Sequence, residues 1–358
     1  MAGPGPVSRR RSRTVGPVDV NDLVEHVVAG SRPHIARALT LVESSRPVDR
    51  ERTRTMLRLL APHTGKAVRV GISGVPGAGK STFIDAMGCR LVDEYHHKVA
   101  VLAIDPSSAN TGGSILGDRT RMGALAERED AFVRPSPSGG SLGGVARATR
   151  EAIVVMEAAG YDVVLVETVG VGQSEVAVAG MVDTFLLLSV AGTGDQLQGI
   201  KKGVLELADI VAVNKADGDN APNAREAARN LRQAMRMMSS STEEDSRKIP
   251  VLTCSAVSGE GLDDVWKAVQ DHRSWLVDNG SLESRRTLQQ HEWMWSIVRN
   301  RIMDSLDGDP EVQQRAQQAC AALDAGESDA LDASEQVLRI FASRVPEFGW
   351  SEPADPRK

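Results

Sequence analysis

One octapeptide constrains this chain more than any other feature. Gly74-Val75-Pro76-Gly77-Ala78-Gly79-Lys80-Ser81, followed by Thr82, satisfies GxxxxGK[ST]. It stands between a short apolar run at 67–73 and a stretch with helical spacing that reaches about residue 93. A strand, a glycine-rich turn and a helix in that order form a phosphate-binding loop. The glycines let backbone N–H groups turn inward around an anion, and the helix presents its positive N-terminus to the same anion. Lys80 is placed to reach β- and γ-phosphates, and the Ser81 hydroxyl is suited to ligate Mg²⁺. Position 75 is Val, so the lysine that the related deviant-loop ATPases carry near the start of this loop is missing.

The surrounding pattern predicts an α/β fold, a three-layer P-loop NTPase sandwich with a mainly parallel sheet. Apolar runs at 67–73, 98–104, 131–133, 163–166, 184–190, 210–213 and 251–253 alternate with helical spacing. Strands separated by helices imply βαβ units covered on both faces. The expected organisation has four parts. Residues 1–19 form a disordered tail, 20–63 an N-terminal helical region, 64–280 a nucleotide-binding domain, and 281–358 a C-terminal helical arm. In the helical region Leu23, Val24, Val27 and Val28 form one apolar face, Ile35, Leu39 and Val42 a second, and Met56, Leu59 and Leu60 a third. In the arm, Leu288, Trp295, Val298, Ile302 and Leu306 share a face.

Composition removes several function classes. With 358 residues, 42 Lys+Arg against 48 Asp+Glu and a net charge of −6, bulk electrostatics disfavour nucleic acid as a partner. Aromatics at 3% leave few platforms for base stacking. No apolar run of about 18 residues exists, so no membrane span is expected. The three cysteines, Cys89, Cys254 and Cys320, are far apart and fit a reducing, cytoplasmic setting. The seven histidines are scattered, with His96-His97 as the lone cluster. Arg9, Arg10, Arg11 and Arg13 lie in an acid-free tail without an apolar h-region; a transit peptide is the alternative to a plain tail.

A second motif selects the base. Asn214-Lys215-Ala216-Asp217 follows the apolar run 210–213 and gives the NKxD pattern. An Asp carboxylate accepts two hydrogen bonds from guanine N1–H and N2–H₂, whereas adenine leaves it unpaired. The Lys215 stem can cover the base face, and Asn214 can tie this loop to the phosphate loop. Ser255, Ala256 and Val257, after the last strand, match the loop whose backbone contacts guanine O6. GTP and GDP are therefore the expected nucleotides, with Mg²⁺.

Two acids are placed for the metal. Asp105 and Glu167 follow or end strands at the carboxyl edge of the sheet, where α/β sheets bind ligands; a helix N-cap is the competing reading for either. Gly170 can offer its N–H to a γ-phosphate. In the segment 111–120, Asp118 can orient metal-bound water, and Arg119 can instead contact phosphate. A third loop, 192–202, carries Asp195, Gln198 and Lys201. The position after Gly170 is Val171 and not glutamine, so slow intrinsic hydrolysis, accelerated by a partner, is expected.

These segments together resemble the MeaB/ArgK family of P-loop GTPases, which includes the mitochondrial protein of methylmalonic aciduria type A. The resemblance rests on GVPGAGKST (74–82), DPSS (105–108), TGGSILGDRTRM (111–122), RPSPSGGSLGGVA (134–146), ETVGVGQSE (167–175), GDQLQGIKKG (194–203) and NKAD (214–217). It implies a homodimeric GTPase chaperone that gates adenosylcobalamin loading into an acyl-CoA mutase, usually methylmalonyl-CoA mutase, and protects it. It also implies Mg²⁺ and switch roles for Asp105, Asp118 and Glu167. Asp195, Gln198 and Lys201 would belong to a third switch facing the mutase, and the C-terminal helices to a dimerisation arm. Two alternatives remain. One is a kinase or ATPase of lysine/arginine/ornithine transport, against which NKxD argues. The other is a metal-insertion GTPase, which should carry a His-rich tail or paired Cys/His ligands.

Overall fold

The computed structural model describes residues 19–44, 46–104, 122–135, 142–168, 174–191, 202–238 and 247–347. Seven strands form one sheet: β1 (Val68–Gly74), β2 (Val99–Ile104), β3 (Ala131–Pro135), β4 (Val163–Thr168), β5 (Thr184–Val190), β6 (Ile210–Asn214) and β7 (Val251–Thr253). Their order is β3-β2-β4-β1-β5-β6-β7. Every pairing is parallel. The helices are α1 (Val20–Val28), α2 (Arg32–Glu43), α3 (Pro47–Leu60), α4 (Lys80–Asp93), α5 (Gly123–Ala126), α6 (Leu142–Ala158), α7 (Ser174–Ala179), α8 (Lys202–Glu206), α9 (Ala221–Met238), α10 (Leu262–Asp278), α11 (Ser281–Gly308), α12 (Pro310–Asp324) and α13 (Ala330–Arg344). This is the P-loop NTPase sandwich that the alternation of strands and helices predicts.

Period-2 alternation divides the strand residues between two faces. Val163 and Leu165 pack with Val68, Val70 and Ile72 against Phe83, Ile84 and Met87 of α4 and Val265 and Trp266 of α10. Val164 and Val166 pack the other way, with Ile153 and Met156 of α6. Leu187, Val211 and Val213 meet Ala224, Ala228 and Leu231 of α9.

The N-terminal helices join the core under α6. Leu23, Val27, Ile35, Leu39, Val42, Met56 and Leu60 are buried in the same cluster as Val164 and Phe185. Two residues of the expected apolar faces do not: Val28 and Leu59 are exposed. Each lies one position outside the buried stripe of its helix, where the 3.6-residue period turns it to solvent. Arg32 of α2 covers the edge strand, donating to Glu129 O at 2.7 Å and Ala131 O at 2.8 Å.

The chain forms two compact units, Met1–Arg286 and Thr287–Lys358. The last residues of the first unit are tied to the amino edge of the sheet. Arg286 Nη2 lies 2.7 Å from Asp183 Oδ2 and donates to Ala67 O at 2.9 Å. Its Nη1 donates to Gly65 O. Arg285 Nη2 donates to Asp209 Oδ2 at 3.1 Å. Asp183 is fully buried and precedes β5. In the second unit Asp309 caps α12, accepting from Glu311 N at 2.9 Å and pairing with Arg344 at 3.1 Å. On α11, Leu288, Trp295, Val298 and Ile302 are exposed rather than packed.

Candidate functional site

The site lies at the carboxyl edge of the sheet, where β1 is flanked by β4 and β5. Beyond β1 the chain turns through 75–79 and enters α4 at Lys80. Gly79 is the N-cap residue with φ +81°. A Cβ there would also stand 2.9 Å from Asn214 Nδ2, so both backbone and space require glycine. Pro76, Gly77 and Thr82 are exposed, whereas Ala78 is buried beneath the loop. The first turn of α4 therefore opens on a glycine-rich concavity, the arrangement that binds anions at a helix N-terminus.

Lys80 is buried, and its ammonium donates to Gly74 O at 2.9 Å and Val75 O at 3.4 Å. Burial pushes its pKa down, while the charges of Glu167 and Glu175 push it up. Ser81 Oγ donates to Glu167 Oε1 at 3.0 Å. Register explains that meeting: Ile72 of β1 pairs with Glu167 of β4, so the carboxylate stands beside the strand that feeds the loop. A hydroxyl and a carboxylate at this spacing offer a hard oxygen pair for a divalent cation. Behind them, Thr168 Oγ1 donates to Ser73 Oγ at 2.8 Å, both side chains buried.

The second half of the site is built by β6 and β7. Asn214 ends β6 almost fully buried. Its Nδ2 donates to Ala78 O at 2.9 Å, and its Oδ1 accepts from Ala256 N at 3.1 Å. One side chain thus ties the phosphate loop to the loop after β7. Ser255 Oγ donates to Asp217 Oδ1 at 2.6 Å. The same hydroxyl accepts from Val257 N at 3.3 Å and Ser258 N at 3.1 Å. Lys215 takes φ +61°, and Asn220 Nδ2 donates to its carbonyl at 2.7 Å. Its side chain and that of Val257 are exposed.

The structure therefore brings together Lys80, Ser81 and Glu167 in one group and Asn214, Asp217, Ser255 and Ala256 in another, joined through Ala78. Asp105, Asp118, Gly170, Asp195, Gln198 and Lys201 lie outside the described residues. The strand before Asp105 is placed: Ile104 pairs with Thr168 at the same edge. Sequence reasoning gave no role to Glu175, whose buried charge acts on Lys80. Its signal was a second carboxylate eight positions after Glu167, opening α7. Cys254, which the sequence offers only as a sparse cysteine, is buried against Asn214, with its thiol pushed up to about 12 by burial.

A glycine-rich loop leaving the central strand of a parallel sheet, closed by a lysine–serine helix start, defines a P-loop NTPase; the NKxD loop beside it places the chain with the guanine-nucleotide branch. Comparison with known proteins then gives the family. The family model described as "Methylmalonyl Co-A mutase-associated GTPase MeaB" matches residues 35–311, and the chain belongs to that family.

Its relatives agree. "Probable GTPase Rv1496" of Mycobacterium tuberculosis is 54% identical over 321 residues, 90% of this chain and 95% of the relative. "GTPase ArgK" of Escherichia coli is 45% identical, over 82% of this chain and 88% of its own length. The mouse "Methylmalonic aciduria type A homolog, mitochondrial" is 41% identical, over 91% and 80%. Among solved structures, "Crystal structure of LAO/AO transport system kinase" superposes with a TM-score of 0.69 at 36% identity, covering 90% of this chain and 97% of that one. Among the described residues no helix is long and apolar enough to cross a membrane.

Proposed function

We propose that this protein is a GTP-binding and -hydrolysing chaperone that gates adenosylcobalamin loading into an acyl-CoA mutase, methylmalonyl-CoA mutase first among them, and protects that mutase. The observation that carries the reading is the Asn214 bridge, which holds a base-reading loop and a phosphate loop as one unit in a chain whose family is described by its association with that mutase.

In this reading Asp217 accepts from guanine N1–H and N2–H₂, and Ser255 fixes the carboxylate's orientation. Lys80 leaves the Gly74 and Val75 carbonyls for the β- and γ-phosphate oxygens. Burial keeps its charge unscreened, and Glu167 and Glu175 keep it protonated. The oxygen pair of Ser81 and Glu167 fits Mg²⁺. Asp105 and Asp118 complete the proposed metal and switch set. When bound, that ion would neutralise charge developing on the phosphate oxygens. Gly170 senses the γ-phosphate. Asp195, Gln198 and Lys201 form the loop that signals to the mutase. Intrinsic hydrolysis is slow because the position after Gly170 is Val171, with no glutamine there to orient water; turnover of the isolated protein at about tens per second would contradict this.

The second unit supports a homodimer, since α11 exposes Leu288 and Trp295 at 60% and 56%. The proposed setting is cytoplasmic. The competing kinase reading takes its support from the name of the solved relative. Purified protein is incubated with candidate mutases in GDP and in a non-hydrolysable GTP analogue, and the complexes are isolated. Nucleotide-dependent capture of a cobalamin mutase is expected; capture in neither state refutes the chaperone role. Transfer of labelled γ-phosphate to a transport binding protein would install the kinase reading.

A further inference from the structure

The turn between α1 and α2 carries chemistry that the nucleotide site does not use. Asp22 and His26 stand four residues apart on α1 and share one face. Ser31 N donates to His26 O at 3.0 Å and Gly30 N to Val27 O at 2.9 Å. Gly30 takes φ +78°, the left-handed conformation that closes a helix end. The chain turns back at once, and His34 in the first turn of α2 stacks on His26, with ring centroids 4.3 Å apart and planes at 24°. One nitrogen of each imidazole and one Asp22 oxygen all lie within 4.8 Å of one another.

Both rings are held through Nδ1. His26 Nδ1 lies 2.8 Å from Asp22 O. A carbonyl only accepts, so Nδ1 carries the proton and Nε2 the lone pair. His34 Nδ1 lies 2.7 Å from Ser31 Oγ. Ser31 is the N-cap residue of α2, yet its side chain makes no capping bond; its hydroxyl is engaged with the imidazole instead. Oxygen partners on the far nitrogen are what orient histidines toward an ion.

We propose that Asp22, His26 and His34 form a surface site for a borderline divalent ion of the Zn²⁺ class, with its fourth position open to water. Two imidazoles and one carboxylate are a common donor set for such an ion, whereas Mg²⁺ prefers oxygen alone. Bonds of about 2.0 Å at a tetrahedral angle need ligand atoms roughly 3.3 Å apart. To reach that, the His26 and His34 rings must swing out of their stack, and the Asp22 carboxylate, now 3.4 Å from His26 Nδ1, must turn toward Nε2; the Asp22 and His26 side chains are both about half exposed. All three residues precede position 35, where the family match begins. The site is therefore independent of the GTPase reading, and either can fail alone.

Full-length protein saturated with Mg²⁺ and GDP is titrated with ZnCl₂ by calorimetry, beside His26→Gln/His34→Gln. Neither histidine touches the nucleotide loops, so retained GDP binding shows that the variant folds. The parent is expected to take up one more equivalent of Zn²⁺ than the variant. Ser31→Ala should weaken that equivalent by about tenfold or more, and millimolar Mg²⁺ should not displace it. Equal Zn²⁺ uptake by parent and double variant, including none by either, overturns the proposal.

Discussion

Asn214→Ala tests whether the two loops act as one unit. The side chain is 1% exposed and makes one bond to each loop, at 2.9 and 3.1 Å. A neutral hydrogen bond contributes about 0.5–1.5 kcal/mol net, so the two together are worth about 2 kcal/mol. If that energy holds the loops in their nucleotide-binding arrangement, GDP should bind about 30-fold more weakly. The ratio of GDP to ADP affinity should also fall, because Asp217 loses its fixed position relative to the phosphates. Asn214→Asp is the sharper control. It keeps the acceptor for Ala256 N but turns a second acceptor, and a buried charge, toward the Ala78 carbonyl. Its effect should exceed that of alanine. Calorimetry with both nucleotides, at a temperature where melting curves show all proteins folded, reads the result. If melting falls while GDP affinity and the GDP/ADP ratio stay within about threefold of the parent, the bridge is a packing contact and the reasoning is wrong.

Three further outcomes follow from the geometry. Asp217→Asn replaces a doubly accepting carboxylate with a side chain that also donates, so GDP affinity should fall at least about tenfold, read by competition with a fluorescent nucleotide. Burial depresses the pKa of His272 from 6.5 to about 4, so the folded chain resists its protonation. Its contribution is therefore complete above about pH 6.5 and is lost as pH falls toward 4, by about 3 kcal/mol at most; denaturant melts should show a slope that His272→Gln removes. Trp295→Glu puts charge on the exposed face of α11 and should convert a dimer to a monomer in light scattering; a monomeric parent would refute the dimer.

The sequence already disclosed the elements whose residues are constrained by local chemistry. The seven strands announce themselves as short apolar runs between stretches of helical spacing, and Gly79 and Lys80 fall where backbone geometry and an anion demand them. The Asn214 contact with the phosphate loop was readable from NKxD, since the motif's Asn has one plausible task. What remained hidden depends on chain reversal or register. Glu175 matters through a charge that α7 sets near Lys80, which no spacing rule reports. His26 and His34, read as scattered, are stacked by one left-handed glycine. The prefix helices read as a separate region because periodicity reveals an apolar face but not what covers it.

The ties at Arg285 and Arg286 decide where this protein can be divided. By composition the helical arm starts at 281, yet a chain ended there loses the guanidinium beside Asp183, a carboxylate with no solvent exposure. Leaving a buried charge without its partner costs about 3–5 kcal/mol, a large part of the 5–15 kcal/mol that holds a typical domain folded. Ending it after Arg286 keeps both arginines. The smallest heritable piece of this GTPase therefore includes the first two turns of α11: a recombination or an engineered fusion that respects the apparent boundary would discard six residues on which the far side of the sheet depends.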